Sequence, residues 1–151
     1  MILADTNILL RSLHPEHPHY DLATSALKLL RLRNETLCVA PQNLIEFWAV
    51  ATRPLDENGL GMTVVRVAGE IAALRQFFHV LPHTAGVLER WQHIAIDQGV
   101  VGKQTHDAHL VAVMQVHSVT SILTFNGGHF RRFPGVGVLD PEQVSAARYH
   151  P

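Results

Sequence analysis

Short apolar runs alternate along the chain with longer stretches whose apolar residues recur at helical spacing, the pattern of alternating strands and helices. Met1-Ile2-Leu3-Ala4 predicts a first strand over 1–4, followed by a short helical turn and an extended loop at Leu13-His14-Pro15-Glu16-His17-Pro18-His19. Leu22, Ala26, Leu29 and Leu30 share one face of a helix predicted over 19–34. Residues 37–40 read as strand 2. Pro41, whose missing N–H costs nothing in a first turn, then opens a helix that stops before Pro54. After a loop over 56–61, Thr63 is the predicted N-cap of a helix reaching Phe78, and 79–81 is strand 3. Thr84 and Thr105 are predicted to cap two further helices, ending near Gln98 and Val116. Residues 121–124 form strand 4, Gly127-Gly128 breaks the chain, 136–139 form a short last strand and Pro141 starts a terminal helix.

Strands this short and this apolar, separated by helices, must be covered on both faces. The expected fold is therefore α/β, a three-layer α/β/α sandwich around a short, mainly parallel sheet of four to five strands. A length of 151 residues fits a single domain, 1–151. With 47% hydrophobic and 17% charged residues the chain has the composition of a compact folded protein. It has no apolar stretch near the roughly 20 residues that cross a bilayer and no signal-peptide start, so no membrane association and a cytoplasmic location are expected. Cys38, the one cysteine, lies in an apolar run and reads as core.

Twelve Lys and Arg against thirteen Asp and Glu give a net charge of -1, which excludes a polycation built for unspecific nucleic-acid binding. Any grip on phosphate must be local, with Arg11, Lys103 and Arg131, beside Arg132, as candidates. His14, His17 and His19 cluster around two prolines without the helical register of a zinc motif. Glycine-rich nucleotide loops and serine nucleophile elbows are lacking.

The candidate chemistry lies in four oxygen-bearing residues. Asp5 and Asn126 each follow the carboxyl end of an apolar strand, the edge where open α/β sheets bind ligands. Glu46 sits mid-helix beside apolar Ile45 and Phe47, with no Lys or Arg one helical turn away to pair it. Asp107 lies in the first turn of a helix otherwise apolar at Leu110, Val111 and Met114, where an acid also suits the helix dipole. If the three carboxylates meet, each pair repels by about 4 kcal/mol at a separation of about 4 Å and an effective dielectric near about 20. A divalent cation is the simplest remedy, and oxygen-only ligands favour Mg²⁺ or Mn²⁺.

The ordered set Ile2-Leu3-Ala4-Asp5-Thr6-Asn7, Asn43-Leu44-Ile45-Glu46-Phe47, Thr105-His106-Asp107-Ala108-His109-Leu110-Val111-Ala112 and Leu123-Thr124-Phe125-Asn126 with Phe130 resembles the PIN-domain ribonucleases. The resemblance is greatest to the VapC-type toxins of toxin–antitoxin pairs. It implies a metal held by Asp5, Glu46 and Asp107, a supporting polar group at Asn126, and Thr6, Asn7 and Thr124 as neighbours that orient them. It further implies water as the nucleophile on an RNA phosphodiester, a small antitoxin protein as partner, and a homodimer. Many relatives carry an acid where this chain has neutral Asn126, which leaves the number of metal ions open at one or two. Three rivals remain at this stage. A degenerate PIN domain would bind RNA or protein without cutting, an HD-type phosphohydrolase would use His106-Asp107 and His109 in a mainly helical fold, and a phosphoacceptor receiver domain would use Asp5.

Overall fold

The computed structural model describes residues 1–147, so the last four positions of the expected 1–151 domain lie outside the described residues. Five strands form one sheet: β1 (Ile2–Ala4), β2 (Leu37–Val39), β3 (His79–Val80), β4 (Ser121–Leu123) and β5 (Gly137–Leu139). Their order is β3-β2-β1-β4-β5 and every neighbouring pair is parallel. The chain builds outward from β1 to one side and then returns to build on the other. This places a topological switch point beside β1 and β4, and the crevice for a ligand lies outside their carboxyl ends. The sheet and its order dispose of two rivals, because an HD-type fold is mainly helical and a receiver domain takes the order 2-1-3-4-5.

Alternate strand residues face opposite layers, as a pleat with period two requires. Ile2, Ala4, Leu37, Val39 and Leu123 pack with Ile8, Leu9, Leu30, Phe47 and Val67. These come from α1 (Thr6–Ser12), α2 (Tyr20–Leu32), α3 (Pro41–Thr52) and α4 (Val64–Phe77), with α8 (Pro141–Ala146) closing over α2. Leu3, Cys38 and Ile122 point the other way, into α5 (Gly86–Asp97), α6 (Gln104–Val116) and α7 (Gly127–Phe130). The three-layer sandwich expected from the sequence is the observed one. Cys38 is fully buried, its thiol donates to the Ile2 carbonyl at 3.4 Å, and burial pushes its pKa up to about 11, so it packs rather than reacts.

Several boundaries differ from expectation for local reasons. The short turn after β1 is a complete helix of 7 residues, because Asp5 caps it by accepting from the Thr6 N–H. Thr63 does cap α4, accepting from the Arg66 N–H at 3.2 Å. Thr84 does not cap α5; its carbonyl, not its hydroxyl, receives the Val87 N–H, and the helix begins after Ala85. Thr105 lies inside α6, which starts one residue earlier through backbone turns onto Gly102 and Lys103. Gly127-Gly128 opens a helix instead of breaking the chain. A Cβ on Gly127 would lie 2.8 Å from Val138 Cγ1, so only glycine lets α7 close against β5. Ile45, expected beside a buried face, is 69% exposed.

Asn43 ties the fold to its crevice. It is fully buried, its Oδ1 accepts from the Ala40 N–H at 2.8 Å to close the first turn of α3, and its Nδ2 donates to Thr6 Oγ1 at 3.2 Å. Ala40 offers no side-chain acceptor, so Asn43 supplies only the half of a capping box in which the third helical residue accepts from the N-cap N–H. Asn43→Ala leaves the buried Ala40 N–H unpaired and should lower unfolding free energy by about 1–3 kcal/mol in a urea titration. An unchanged midpoint would mean that α3 starts without this bond.

Candidate active site

Asp5 leaves β1 with its N–H donating to the Leu123 carbonyl at 3.0 Å, which prolongs the β1–β4 pairing by one step. Its carboxylate is then held by neutral donors alone. Oδ1 accepts from the Thr6 N–H at 2.8 Å; Oδ2 accepts from Thr124 Oγ1 at 2.7 Å and from Asn7 Nδ2 at 3.2 Å. Asn7 also donates to Thr124 Oγ1 at 3.2 Å, and its Oδ1 accepts from the Phe125 N–H at 3.3 Å. Burial drives the Asp5 pKa above its ordinary 3.8, the bonds from Thr124 and Thr6 oppose that, and the charges of Glu46 and Asp107 add to it.

Glu46 reaches the same crevice from α3. Its Oε2 accepts from Thr6 Oγ1 at 2.7 Å and its Oε1 from Gln42 Nε2 at 2.8 Å. Gln42 extends the network, because Nε2 also donates to the His106 carbonyl at 3.0 Å while Oε1 lies 2.5 Å from His109 Nδ1. With the amide nitrogen committed to two acceptors, Oε1 must accept, which places the His109 proton on Nδ1. Burial lowers the His109 pKa, and the neighbouring His83 and His106 lower it further, in keeping with that neutral tautomer. His83 lies against His109 with ring centroids 5.7 Å apart.

Asp107 enters from the first turn of α6. Burial raises its pKa above 3.8 and the Glu46 charge adds to the rise, while His129, with Nδ1 3.7 Å from Oδ2, counters it. The structure thus brings Asp5, Glu46 and Asp107 into mutual electrostatic contact, with Thr6, Asn7 and Thr124 bonded among them. Among the described residues no Lys or Arg pairs with any of the three acids, and no three His, Cys, Asp or Glu side chains already stand in metal-holding geometry.

The remaining candidates stand further out. Asn126 is exposed past β4, and only its backbone joins the network, through its N–H to Thr124 Oγ1 at 3.0 Å. Arg11 is in the last turn of α1, and Lys103 is exposed ahead of α6. Arg131 is exposed and folds back over Gly127, whereas Arg132 is tied to the Gln98 carbonyl and the Gln104 side chain. The sequence pattern did not reveal the bridge formed by Gln42 or the place of His129. Of the two, only Gln42 left a signal, its spacing of one helical turn from Glu46.

Because the folded protein raises the pKa of Asp5 and Asp107, their contribution favours folding below about 3.8 and is lost as pH rises through the folded values. In EDTA at pH 7 the Asp5→Asn variant, free of a buried charge, should melt at or above the wild-type temperature. Its advantage should shrink as pH falls towards 4, measured as the difference between paired calorimetric scans. A variant that melts well below wild type at pH 7 would show the carboxylate to be a net structural asset.

Known proteins share this fold. The PIN domain family pattern matches residues 2–136. Among solved structures, VapBC2 of Rickettsia felis bound to a promoter DNA fragment superposes with a TM-score of 0.69 at 15% identity, covering 93% of this chain and 98% of that one. FitAcB of Neisseria gonorrhoeae gives 0.67 at 20% identity, covering 94% and 99%. VapC20 of Mycobacterium tuberculosis, described as a sarcin–ricin loop cleaving toxin, gives 0.63 at 19% identity, covering 85% and 92%. None of the curated proteins matches. With the family pattern spanning nearly all of the sheet and its crevice, and the three-layer fold shared with these structures, the chain belongs to the PIN domain family.

Proposed function

We propose that this protein is a metal-dependent endoribonuclease, the toxin of a type II toxin–antitoxin pair. The observation that carries the reading is the gathering of Asp5, Glu46 and Asp107 at the β1/β4 switch point, where among the described residues no Lys or Arg pairs with them and only His129 stands within pairing distance of one of them, Asp107. Support for a toxin comes from the similar structures, one described as a loop-cleaving toxin and another as a toxin–antitoxin complex from Klebsiella pneumoniae.

The donor set fits a hard divalent cation. A carboxylate offers about four lone-pair positions. Hydrogen bonds occupy three on Asp5 and two on Glu46, and no hydrogen bond to Asp107 occurs among the described residues. Positions therefore remain on all three acids, and the ligands are oxygens throughout, which favours Mg²⁺ or Mn²⁺. Bound there, such an ion supplies Lewis acidity, easing ionisation of an attacking water and screening charge on the phosphoryl oxygens. The chain's own contribution is positional. Thr124 and Asn7 hold the Asp5 carboxylate, Thr6 and Gln42 hold that of Glu46, and Asn126 on the rim offers an amide to orient water. Arg11, Lys103 and Arg131 are the groups proposed to hold the RNA backbone.

The proposed antitoxin has a groove of about 700 Å³ available between α2 and α4, lined by Leu27, Leu74 and Phe77 with Lys28, Arg31 and Glu70 among them. That combination suits an amphipathic segment. A homodimer is the assembly proposed for the toxin itself, read by light scattering. In the described residues no helix is long and apolar enough to cross a membrane. The second reading, a PIN domain that binds without cutting, is favoured by one feature, the neutral Asn126 whose side chain makes no bond to the acids.

Single-stranded RNA incubated with the protein should be cut only when Mg²⁺ or Mn²⁺ is present, and cutting should fall below detection in Asp5→Asn, Glu46→Gln and Asp107→Asn, each checked for folding by circular dichroism. Undiminished metal-dependent cutting by Asp5→Asn would reject the assignment. Absence of Mn²⁺ binding to the folded protein by calorimetry would favour the non-cutting reading. Gln42→Leu removes the donor to Glu46 and should weaken Mn²⁺ affinity about 10- to 100-fold while α3 stays folded. An unaltered Mn²⁺ isotherm would assign Gln42 a purely structural part.

A further inference from the structure

The loop between α1 and α2 folds back to the rim of the acid crevice and carries a run of aromatic rings that the chemistry above does not use. The His14 and His17 rings lie 5.7 Å apart at 50°, His17 and His19 5.3 Å apart at 60°, and His19 stacks on Phe125 at 4.6 Å and 15°. All these spacings fall in the range of about 4.5–7 Å that aromatic pairs prefer. Phe125 joins Thr124 to Asn126, and its N–H is held by Asn7, which also holds Asp5. The run therefore starts at the crevice and leads away from it.

The rings are held in place: Phe125 packs half-buried against the core, His14 and His17 are half-buried with His14 Nδ1 enclosed, and His19 is exposed. Pro15 and Pro18 restrict the backbone, the His17 N–H donates to the His14 carbonyl at 3.0 Å, and the Tyr20 N–H donates to the His17 carbonyl at 3.0 Å. His17 Nδ1 accepts from the His19 N–H at 3.0 Å, leaving Nε2–H as its donor. His19 is exposed and Phe125 half-buried, so the stack borders solvent. With Nδ1 of His17 committed to the backbone, that nitrogen is not open to a metal, and His19 lies stacked on Phe125.

We propose that His14, His17, His19 and Phe125 form a stacking tract that receives the unpaired bases of single-stranded RNA beside the acid crevice. The inference rests on the ribonuclease reading and adds to it a site that grips the strand outside the acid crevice. Unpaired bases stack on aromatic side chains largely without regard to sequence, whereas bases within a duplex are already stacked on one another. Arg11, whose charge acts on His17, supplies a cation for the backbone of the same strand.

The test is fluorescence anisotropy of a labelled single-stranded oligoribonucleotide with the full chain in EDTA, so that binding is read without cutting. His17→Ala and His19→Ala should each weaken binding roughly 5- to 100-fold, and Phe125→Leu similarly. His93→Ala, on α5, serves as the control and should leave affinity as it was. Melting curves identify any variant that has lost its fold, and His19, being exposed, provides the variant least open to that objection. Affinities of the three tract variants within twofold of wild type overturn the proposal, as does an equal loss on a duplex of the same sequence or no binding by wild type. Asp5→Asn should bind the oligonucleotide at least as tightly as wild type. If it still cuts in Mn²⁺, the nuclease assignment fails while the tract stands; if the tract variants bind and cut normally, the tract fails while the nuclease stands.

Discussion

A half-buried carboxylate held only by neutral hydrogen bonds governs this molecule. Asp5 is the residue at which β1 ends, α1 begins and β4 is joined. Its three bonds come from a backbone amide, a hydroxyl and a side-chain amide, none of which cancels its charge. Donors of this kind fix orientation and lower the cost of burying the ion without neutralising it. The fold therefore maintains an uncompensated negative site at its switch point. Glu46 and Asp107 deepen it instead of relieving it, adding to the burial that chiefly displaces both Asp5 and Asp107 towards protonation.

Helix α3 shows how one element serves core and site together. Phe47 and Ala51 are buried against the sheet. Gln42, Asn43 and Glu46 occupy adjoining positions towards the crevice, and each is bonded to another element. Asn43 reaches the Thr6 hydroxyl and that hydroxyl reaches Glu46, so a chain of hydrogen bonds runs from the start of α3 through α1 and back to α3. A change in the packing of α1 against α3 would reach Glu46 by this route, although neither helix carries a charged partner for it.

The sequence disclosed those parts of the fold that depend on short-range pattern. Apolar runs ending at Asp5 and at Thr124 located both strand ends, and an acid without a helical partner singled out Glu46. What stayed hidden depends on the approach of distant segments. Thr84 and Thr105 have the right residue type for caps, yet backbone turns at Ala85 and Gly102 start the helices elsewhere. Gly127-Gly128 carries the composition of a break, and only its closeness to Val138 shows that glycine there permits a helix. His109 looked like part of a histidine–aspartate motif, but the Gln42 amide, 67 residues away, determines which of its nitrogens bears the proton.

The sign of the crevice bears on how a polyanion could enter it. Three carboxylates repel a phosphodiester, and a chain of net charge -1 has no general positive field to offset that. Attraction must then come from isolated cations on the rim, from a divalent ion among the acids, or from contacts that do not depend on charge. Stacking on imidazole and phenyl rings is of the last kind, and screening by salt leaves it largely intact. A strand held by its bases next to an acidic crevice would present its phosphates there only to the extent that the crevice were neutralised, so stacking and charge would act on different parts of the same strand.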